Sequence, residues 1–288
     1  MGYKGDEQSP KIAFQGARGA FSEDAVRQLL GTNIQSVACR TFEEMFAAVS
    51  SGAADAAAVP IENSLAGSVH KNYDLLMEHD LTIIGETNVR IVHHLIAPRG
   101  VSLSQLRRVY SHPVALAQCE RFLRANPQLE VCPAYDTAGS VKMVVDANTG
   151  EDAAIAGATA AAVYSADIVA ESIEDNPQNF TRFLLLCRPD HASSITTTVK
   201  PGQRKTSIVF RVANKPGGLF RSLAAFALRD IDLTKIESRP IEGRPWEYSF
   251  YLDLIGDQIE PHVERALANL AELAESVRVL GSYGRSDA

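Results

Sequence analysis

Residues 179–183, Asn-Phe-Thr-Arg-Phe, run straight into the apolar stretch 184–187. A hydroxyl, Thr181, and a guanidinium, Arg182, therefore sit where a loop meets a strand. A guanidinium there can pair bidentately with a carboxylate. A Thr hydroxyl beside it can position a departing oxygen and hand it a proton. It is a poor acid unaided, so the ligand or a neighbour must assist. A second polar stretch, Pro60-Ile61-Glu62-Asn63-Ser64-Leu65-Ala66-Gly67-Ser68, follows a very apolar run. Polar groups at a buried strand end need partners, which are either a ligand or loop backbone. Glu62 is a proton donor if burial raises its pKa, and otherwise an acceptor of backbone hydrogen bonds. Asn63 and Ser64 are read as ligand contacts.

Three more strand-to-helix junctions carry small polar residues. Ser111-His112-Pro113 opens a helix that includes Gln118 and Cys119. Ser111 and Gln118 can hold a carboxylate or hydroxyl. The plainer reading makes Ser111 an N-cap and Cys119 a core residue. Within Asp136-Thr137-Ala138-Gly139-Ser140, Thr137 is a pocket hydroxyl or only an N-cap. Gln15-Gly16-Ala17-Arg18-Gly19 is a tight turn, or a loop whose glycines let backbone N–H groups approach an anion. His93 and His94 are consecutive on a strand and point to opposite faces. No histidine spacing suits a metal, and neither a phosphate-binding Gly-rich loop nor a Gly-x-Ser-x-Gly elbow is present. Helix N-termini, hydroxyls and one Arg converging on a cleft favour a small carboxylate ligand over a nucleotide.

These residues need an α/β frame. Strands are expected over 11–15, 34–39, 56–60, 81–85, 90–97, 108–111, 129–134 and 153–156. Helices are expected between them, with Ser22 capping the first and Thr41-Phe42-Glu43-Glu44 forming a capping box before another. Alternation of this kind implies a mostly parallel sheet covered by helices, and about 180 residues suits two lobes with a cleft. Residues 189–204 read as a Ser/Thr-rich linker. Beyond it, 205–283 follow the order βαββαβ of a ferredoxin-like module.

With 288 residues, 45% of them hydrophobic, the chain can build two domains. Its net charge of −7 without a basic block argues against a nucleic-acid surface. No apolar run is long enough to span a bilayer, and residues 1–10 lack the apolar core of a leader. Four scattered cysteines, without a C-x-x-C pair, fit a reducing cytoplasm.

The stretches AFQGARGAFSEDA (13–25), VPIENSLAGSV (59–69), SHPVALAQCERFL (111–123), DTAGSVKMV (136–144) and NFTRFLLL (179–186) make the chain resemble the prephenate dehydratases and their relatives, the arogenate dehydratases. The resemblance spans about residues 11–283. HKNYDLL (70–76) and TAGSVKM (137–143) resemble the plant arogenate enzymes. The tail resembles an ACT regulatory domain: KPGGLF (215–220) stands where a Gly-Ala-Leu-Phe run is usual, and IESRP (236–240) matches a Glu-Ser-Arg-Pro motif. This implies a catalytic domain over 11–188, built as a periplasmic-binding-protein-like pair of α/β lobes with crossings near 86–91 and 173–179. It implies cofactor-free loss of CO2 and hydroxide from prephenate, driven by aromatisation. Thr181 would assist the leaving group, with Arg182 and Phe183 orienting it and binding substrate. Asn63, Ser64, Ser111, Gln118 and Thr137 would line the cleft, with Glu62 as electrostatic or proton-donating partner. L-Phe would bind between paired ACT domains of a homodimer or homotetramer, at Asn214, Gly217, Gly218, Leu219 and Glu237, Ser238, Arg239 and Pro240. Arogenate as substrate, or a non-catalytic anion receptor, are the alternatives.

Overall fold

A computed structural model describes residues 9–198 and 202–286. Most of the expected leaderless start, and residues 199–201 of the expected linker, lie outside that range. The first lobe comprises β1 (Lys11–Gln15), α1 (Phe21–Leu30), β2 (Gln35–Cys39), α2 (Phe42–Ser50), β3 (Ala56–Asn63), β4 (Gly67–Ser68), α3 (His70–Glu78) and β5 (Thr82–Arg90). The second comprises β6 (His94–Ala97), β7 (Arg108–Ser111), α4 (Pro113–Ala117), α5 (Glu120–Ala125), β8 (Glu130–Pro133), α6 (Thr137–Ala147), β9 (Asp152–Ala156), α7 (Ala158–Val163) and β10 (Asp167–Ala170). The chain then returns to the first lobe as β11 (Phe180–Cys187).

Residues 56–61 of β3 are all buried, as a strand covered on both faces requires. β3 accordingly lies at the centre of the order β2-β1-β3-β11-β5, with β4 on its end. The second sheet runs β10-β6-β9-β7-β8. Both sheets are mixed rather than mostly parallel. β11 enters from the other lobe and runs antiparallel to both β3 and β5. In the second lobe β6 likewise opposes β9 and β10. A chain that crosses between lobes twice must insert its returning strand against the local direction. β5 continues to Arg90, so the first crossing is at 91–93 and Glu86 lies inside the strand. The second crossing covers 171–179, close to the expected place.

Thr41 caps α2 by accepting the Glu44 N–H at 3.1 Å, as expected. Ala20, not Ser22, occupies the cap position of α1. The single helix expected over 114–123 is two short ones, with Cys119 buried at the break.

The tail forms β12 (Arg204–Arg211), α8 (Gly218–Ala227), β13 (Leu233–Ile241), β14 (Arg244–Ile255), α9 (Pro261–Leu273) and β15 (Ser276–Gly284). Its sheet order is β13-β14-β12-β15. One face of this sheet packs on α8 and α9 around Phe210, Phe226 and Leu270. The opposite face closes a core with the first lobe, where Val209, Tyr251, Leu280 and Tyr283 join Phe46, Leu76 and Ile83. β15 approaches β5 so closely that a Cβ at Gly281 would overlap the Ile83 carbonyl. Only glycine fits there.

Candidate active site between the lobes

A cavity of about 780 Å³ lies between the two lobes. Five helices begin at its wall: α1 at Phe21, α2 at Phe42, α3 beside Val69, α4 beside His112 and α6 at Thr137. Helix N-termini present unpaired N–H groups and positive dipole ends, which favours anions. Lys71 adds an ammonium, paired with Glu43 at 3.0 Å. Among the described residues it is the one Lys or Arg on the wall.

One polar edge of the cavity lies where β3 and β11 meet. Pro60 lacks an N–H, and the ladder slips beside it, so that Arg182 faces Glu62 while Phe183 faces Pro60. Beyond the slip Thr181 sits opposite Asn63, and both side chains line the cavity. Asn63 Oδ1 accepts the Leu65 and Ala66 N–H groups at 3.0 and 2.8 Å. Its Nδ2 therefore points the other way and donates to Asn179 Oδ1 (2.7 Å) and Thr181 Oγ1 (3.0 Å). Because Thr181 Oγ1 accepts this bond, its own hydrogen is free to be donated into the cavity. Gln118 also lines the wall, its Oε1 accepting from Asn179 Nδ2 at 2.9 Å and lying 3.0 Å from His93 Nε2. Thr137 reaches the wall as the first residue of α6, while Asp136 provides the cap. Of the two readings of Thr137, the pocket hydroxyl is the one that the geometry allows.

The remaining expected contacts point elsewhere. Arg182 does not face the cleft. Adjacent strand residues project to opposite faces, so with Thr181 in the cavity Arg182 lies behind the sheet. There it donates to Glu86 (2.7 Å), Asp253 (2.6 Å) and Tyr283 (3.1 Å). Glu62 follows the same rule and pairs with Lys235 of the tail at 2.9 Å. Phe183 shares the face of Thr181 but lies deeper, 2% exposed in the core. Ser64 Oγ bridges the Gln178 carbonyl and the Phe180 N–H, 3.0 Å each. Ser111 is buried and donates to the Ile155 carbonyl at 2.6 Å, and His112 rather than Ser111 caps α4. In the Gly-rich turn, the Gly19 N–H is taken by the buried carboxylate of Glu23 at 2.7 Å. A Cβ on Gly19 would strike Ala160, so this glycine serves lobe contact instead.

Sequence reasoning did not single out His93, Lys71, Asn179 or Tyr135 as site residues. Tyr135, from the second lobe, donates its hydroxyl to the Arg40 carbonyl of the first, beside the cavity. The only signal for Asn179 was its place before Phe180.

In the tail, Asn214, Gly217, Gly218 and Leu219 line a cavity of about 270 Å³ with Trp246, Tyr248 and Phe250. At Gly218, where the resembled motif has Ala, a Cβ would lie 3.2 Å from the Ala213 carbonyl oxygen. Glu237, Ser238, Arg239 and Pro240 do not line this cavity. Alternation along β13 turns Glu237 and Arg239 toward the first lobe, where Glu237 meets Ser68 and His70 and Arg239 grips Asp74 at 2.8 and 3.0 Å. Ser238 and Pro240 lie on the other face, opposite Phe250 and Tyr248.

Two α/β lobes around an anion-favouring cleft, with a βαββαβ module on the back of one sheet, match known families over both parts. A prephenate dehydratase domain model matches residues 12–191 and an ACT domain model residues 206–272. The chain belongs to the prephenate dehydratase family and carries an ACT domain. It is 43% identical over 285 residues to arogenate dehydratase/prephenate dehydratase 2, chloroplastic, of Arabidopsis thaliana, covering 95% of this chain and 72% of that protein. A solved prephenate dehydratase from Arthrobacter aurescens in complex with L-Phe is 34% identical, with a TM-score of 0.85 over 96% of this chain and 90% of the other. A structure described as GqqA, a novel type of quorum quenching acylase, is 36% identical with a TM-score of 0.85, covering 96% and 98% of the two chains.

Proposed function

We propose that the protein converts prephenate to phenylpyruvate. The observation that carries this is the Thr181 hydroxyl, oriented by Asn63 toward a cavity ringed by helix N-termini. Two carboxylates of the substrate would lie against those N-termini and Lys71. As the ring carboxylate leaves as CO2, its bonding pair moves through the ring and expels the ring hydroxyl as hydroxide, leaving an aromatic ring. The departing oxygen is strongly basic, so the Thr181 hydroxyl stabilises it by donating a hydrogen bond as charge develops, and solvent supplies the proton that turns it into water. The chemistry needs neither electron carrier nor metal. The reaction class is thus carbon–oxygen lyase. The four free cysteines fit a cytoplasmic location.

Purified, EDTA-treated protein should form phenylpyruvate from prephenate at neutral pH. Formation of phenylalanine from arogenate alone would move the assignment to that substrate, whose ammonium could meet the wall carboxylates Glu43 and Asp136. Binding of prephenate without turnover of either would leave an anion receptor. An acylase reading finds less support. Thr181 Oγ1 is hydrogen-bonded to Asn63, and among the described residues no His, Asp or Glu touches it as a base.

Feedback by L-Phe follows from the ACT domain and its aromatic-walled cavity. Phe220, Leu228, Ile236 and Trp246 are exposed on this domain, which fits a homo-oligomer that covers them. Millimolar L-Phe should raise Tm, since a ligand of the folded state at 100-fold its Kd adds about 2.7 kcal/mol. An unchanged melt would remove the regulatory assignment.

A further inference from the structure

We propose that His93 is a positioning residue for this reaction, held as the neutral Nε2–H tautomer at the end of a hydrogen-bond chain that sets the direction of Thr181. The proposal rests on the dehydratase reading only for its kinetic consequence.

The direction of the chain can be read from one end to the other. It starts at the backbone N–H groups of Leu65 and Ala66, which cannot act as acceptors. They fix Oδ1 of Asn63, and so aim its Nδ2 at Asn179 Oδ1, 2.7 Å away. Asn179 is fully buried, and with its Oδ1 engaged its Nδ2 must face Gln118 Oε1 at 2.9 Å. Gln118 Oε1 is then an acceptor, so the ring nitrogen 3.0 Å from it, His93 Nε2, must carry a proton. His93 is 2% exposed, and its Nδ1 is buried with no hydrogen-bond partner. An orphaned acceptor is the remainder of a neutral Nε2–H ring. The opposite tautomer would set two lone pairs against each other at Gln118 and bury an unmet donor at Nδ1. Burial also lowers the His93 pKa, against the opposing effects of Gln118 and Glu174, so the ring stays neutral.

His93 lies on the first crossing between the lobes, and Asn179 at the end of the second. The chain therefore ties both crossings to the edge that carries Asn63 and Thr181. Without the Nε2 donor, Gln118 is free to turn its amide, Asn179 loses its fixed partner, and Asn63 shares its protons differently with Thr181. A misdirected donor lowers kcat while leaving carboxylate binding in place, and small misplacements of this kind cost up to about a hundredfold.

The test compares His93→Gln with His93→Asn. A Gln amide nitrogen can occupy the place of Nε2, whereas the Asn amide reaches only the place of Nδ1. His93→Gln should recover kcat to within about threefold of wild type, and His93→Asn should lose about 10- to 100-fold, both with KM little changed. Equal losses in the two variants, or a loss confined to KM, would overturn the role. The tautomer is measured separately, by nitrogen-15 NMR on the ligand-free wild-type protein labelled at histidine, with the His93 signal assigned by its loss in a variant. A protonated Nε2 beside a bare Nδ1 supports the proposal. The reverse tautomer, or an imidazolium at neutral pH, refutes it. That spectrum can refute the proposal even where a variant fails to fold, and it stands apart from whether wild type turns over prephenate.

Discussion

Thr181→Val is expected to lower kcat for prephenate by about 10²- to 10⁴-fold, the range ascribed to a positioned proton donor. The exchange keeps the β-branched shape that β11 favours and replaces the hydroxyl with a methyl group. The hydrogen bond lost is the one accepted from Asn63 at 3.0 Å, and Asn63 keeps Asn179 as partner. The stability change should therefore stay near 1 kcal/mol. KM should move little, because in the proposed binding mode the carboxylates rest on helix N-termini and Lys71 and not on Thr181. Thr181→Ser, which retains the hydroxyl, should keep most of the activity. Steady-state kinetics beside a thermal melt separate the outcomes. A Val variant with near-normal kcat would show that the leaving oxygen is assisted from elsewhere.

Arg182→Met should do the opposite: damage the fold first and chemistry only through it. The Arg182 side chain is 14% exposed and joins Glu86, whose side chain is 1% exposed, to Asp253 of the ACT sheet. Lys205 adds a second contact to Glu86 at 2.8 Å. Removing one member of such a buried group leaves a carboxylate without its main partner, at a cost of about 3–5 kcal/mol. Tm should fall on the order of 10 °C. Had Arg182 clamped the substrate, the variant would keep its Tm and lose KM or kcat. That result would reverse the assignment made here. The same network has a pH signature. Burial alone would raise the Asp253 pKa, but Arg182, Ser207 and Lys205 outweigh it and hold the carboxyl below its ordinary value of 3.8. Its stabilisation is therefore complete above that value and lost as pH falls through the lower, folded-state pKa. Wild type should show this acid loss, and Arg182→Met should show less of it.

The two expectations describe two faces of one pair of strands. Asn63 and Thr181 face the cleft, while their immediate neighbours Glu62 and Arg182 reach Lys235 and Asp253 of the ACT domain. Any displacement of the ACT sheet would therefore reach the strands that carry Asn63 and Thr181 directly.

Much was legible in the chain. Alternating apolar runs and amphipathic stretches located most elements to within a few residues, and the tail's βαββαβ order followed from its periods of 2 and 3.6. The polar strand ends marked Asn63 and Thr181 as wall residues, and the strand-to-helix junctions marked Gln118 and Thr137, but the same pattern also marked Ser64 and Ser111, which bond to backbone instead. What the chain could not show was direction. Strand periodicity says that Thr181 and Arg182 face opposite ways, but not which of them sees the cleft. That choice came from the ladder slip at Pro60, the pairing of Thr181 with Asn63, and the docking of the ACT sheet behind them. Sheet parallelism was misread for the same reason, since an isolated strand carries no mark of the direction from which it enters. The role of His93 was not legible, because its partners lie 25 and more residues away and meet only when both crossings come together. Local pattern encodes which residues can form an element and which period they keep. The face each element turns to its neighbours is set by contacts far apart in sequence, and in this protein those contacts place Thr181 on the cleft wall and Arg182 at the interface with the ACT domain.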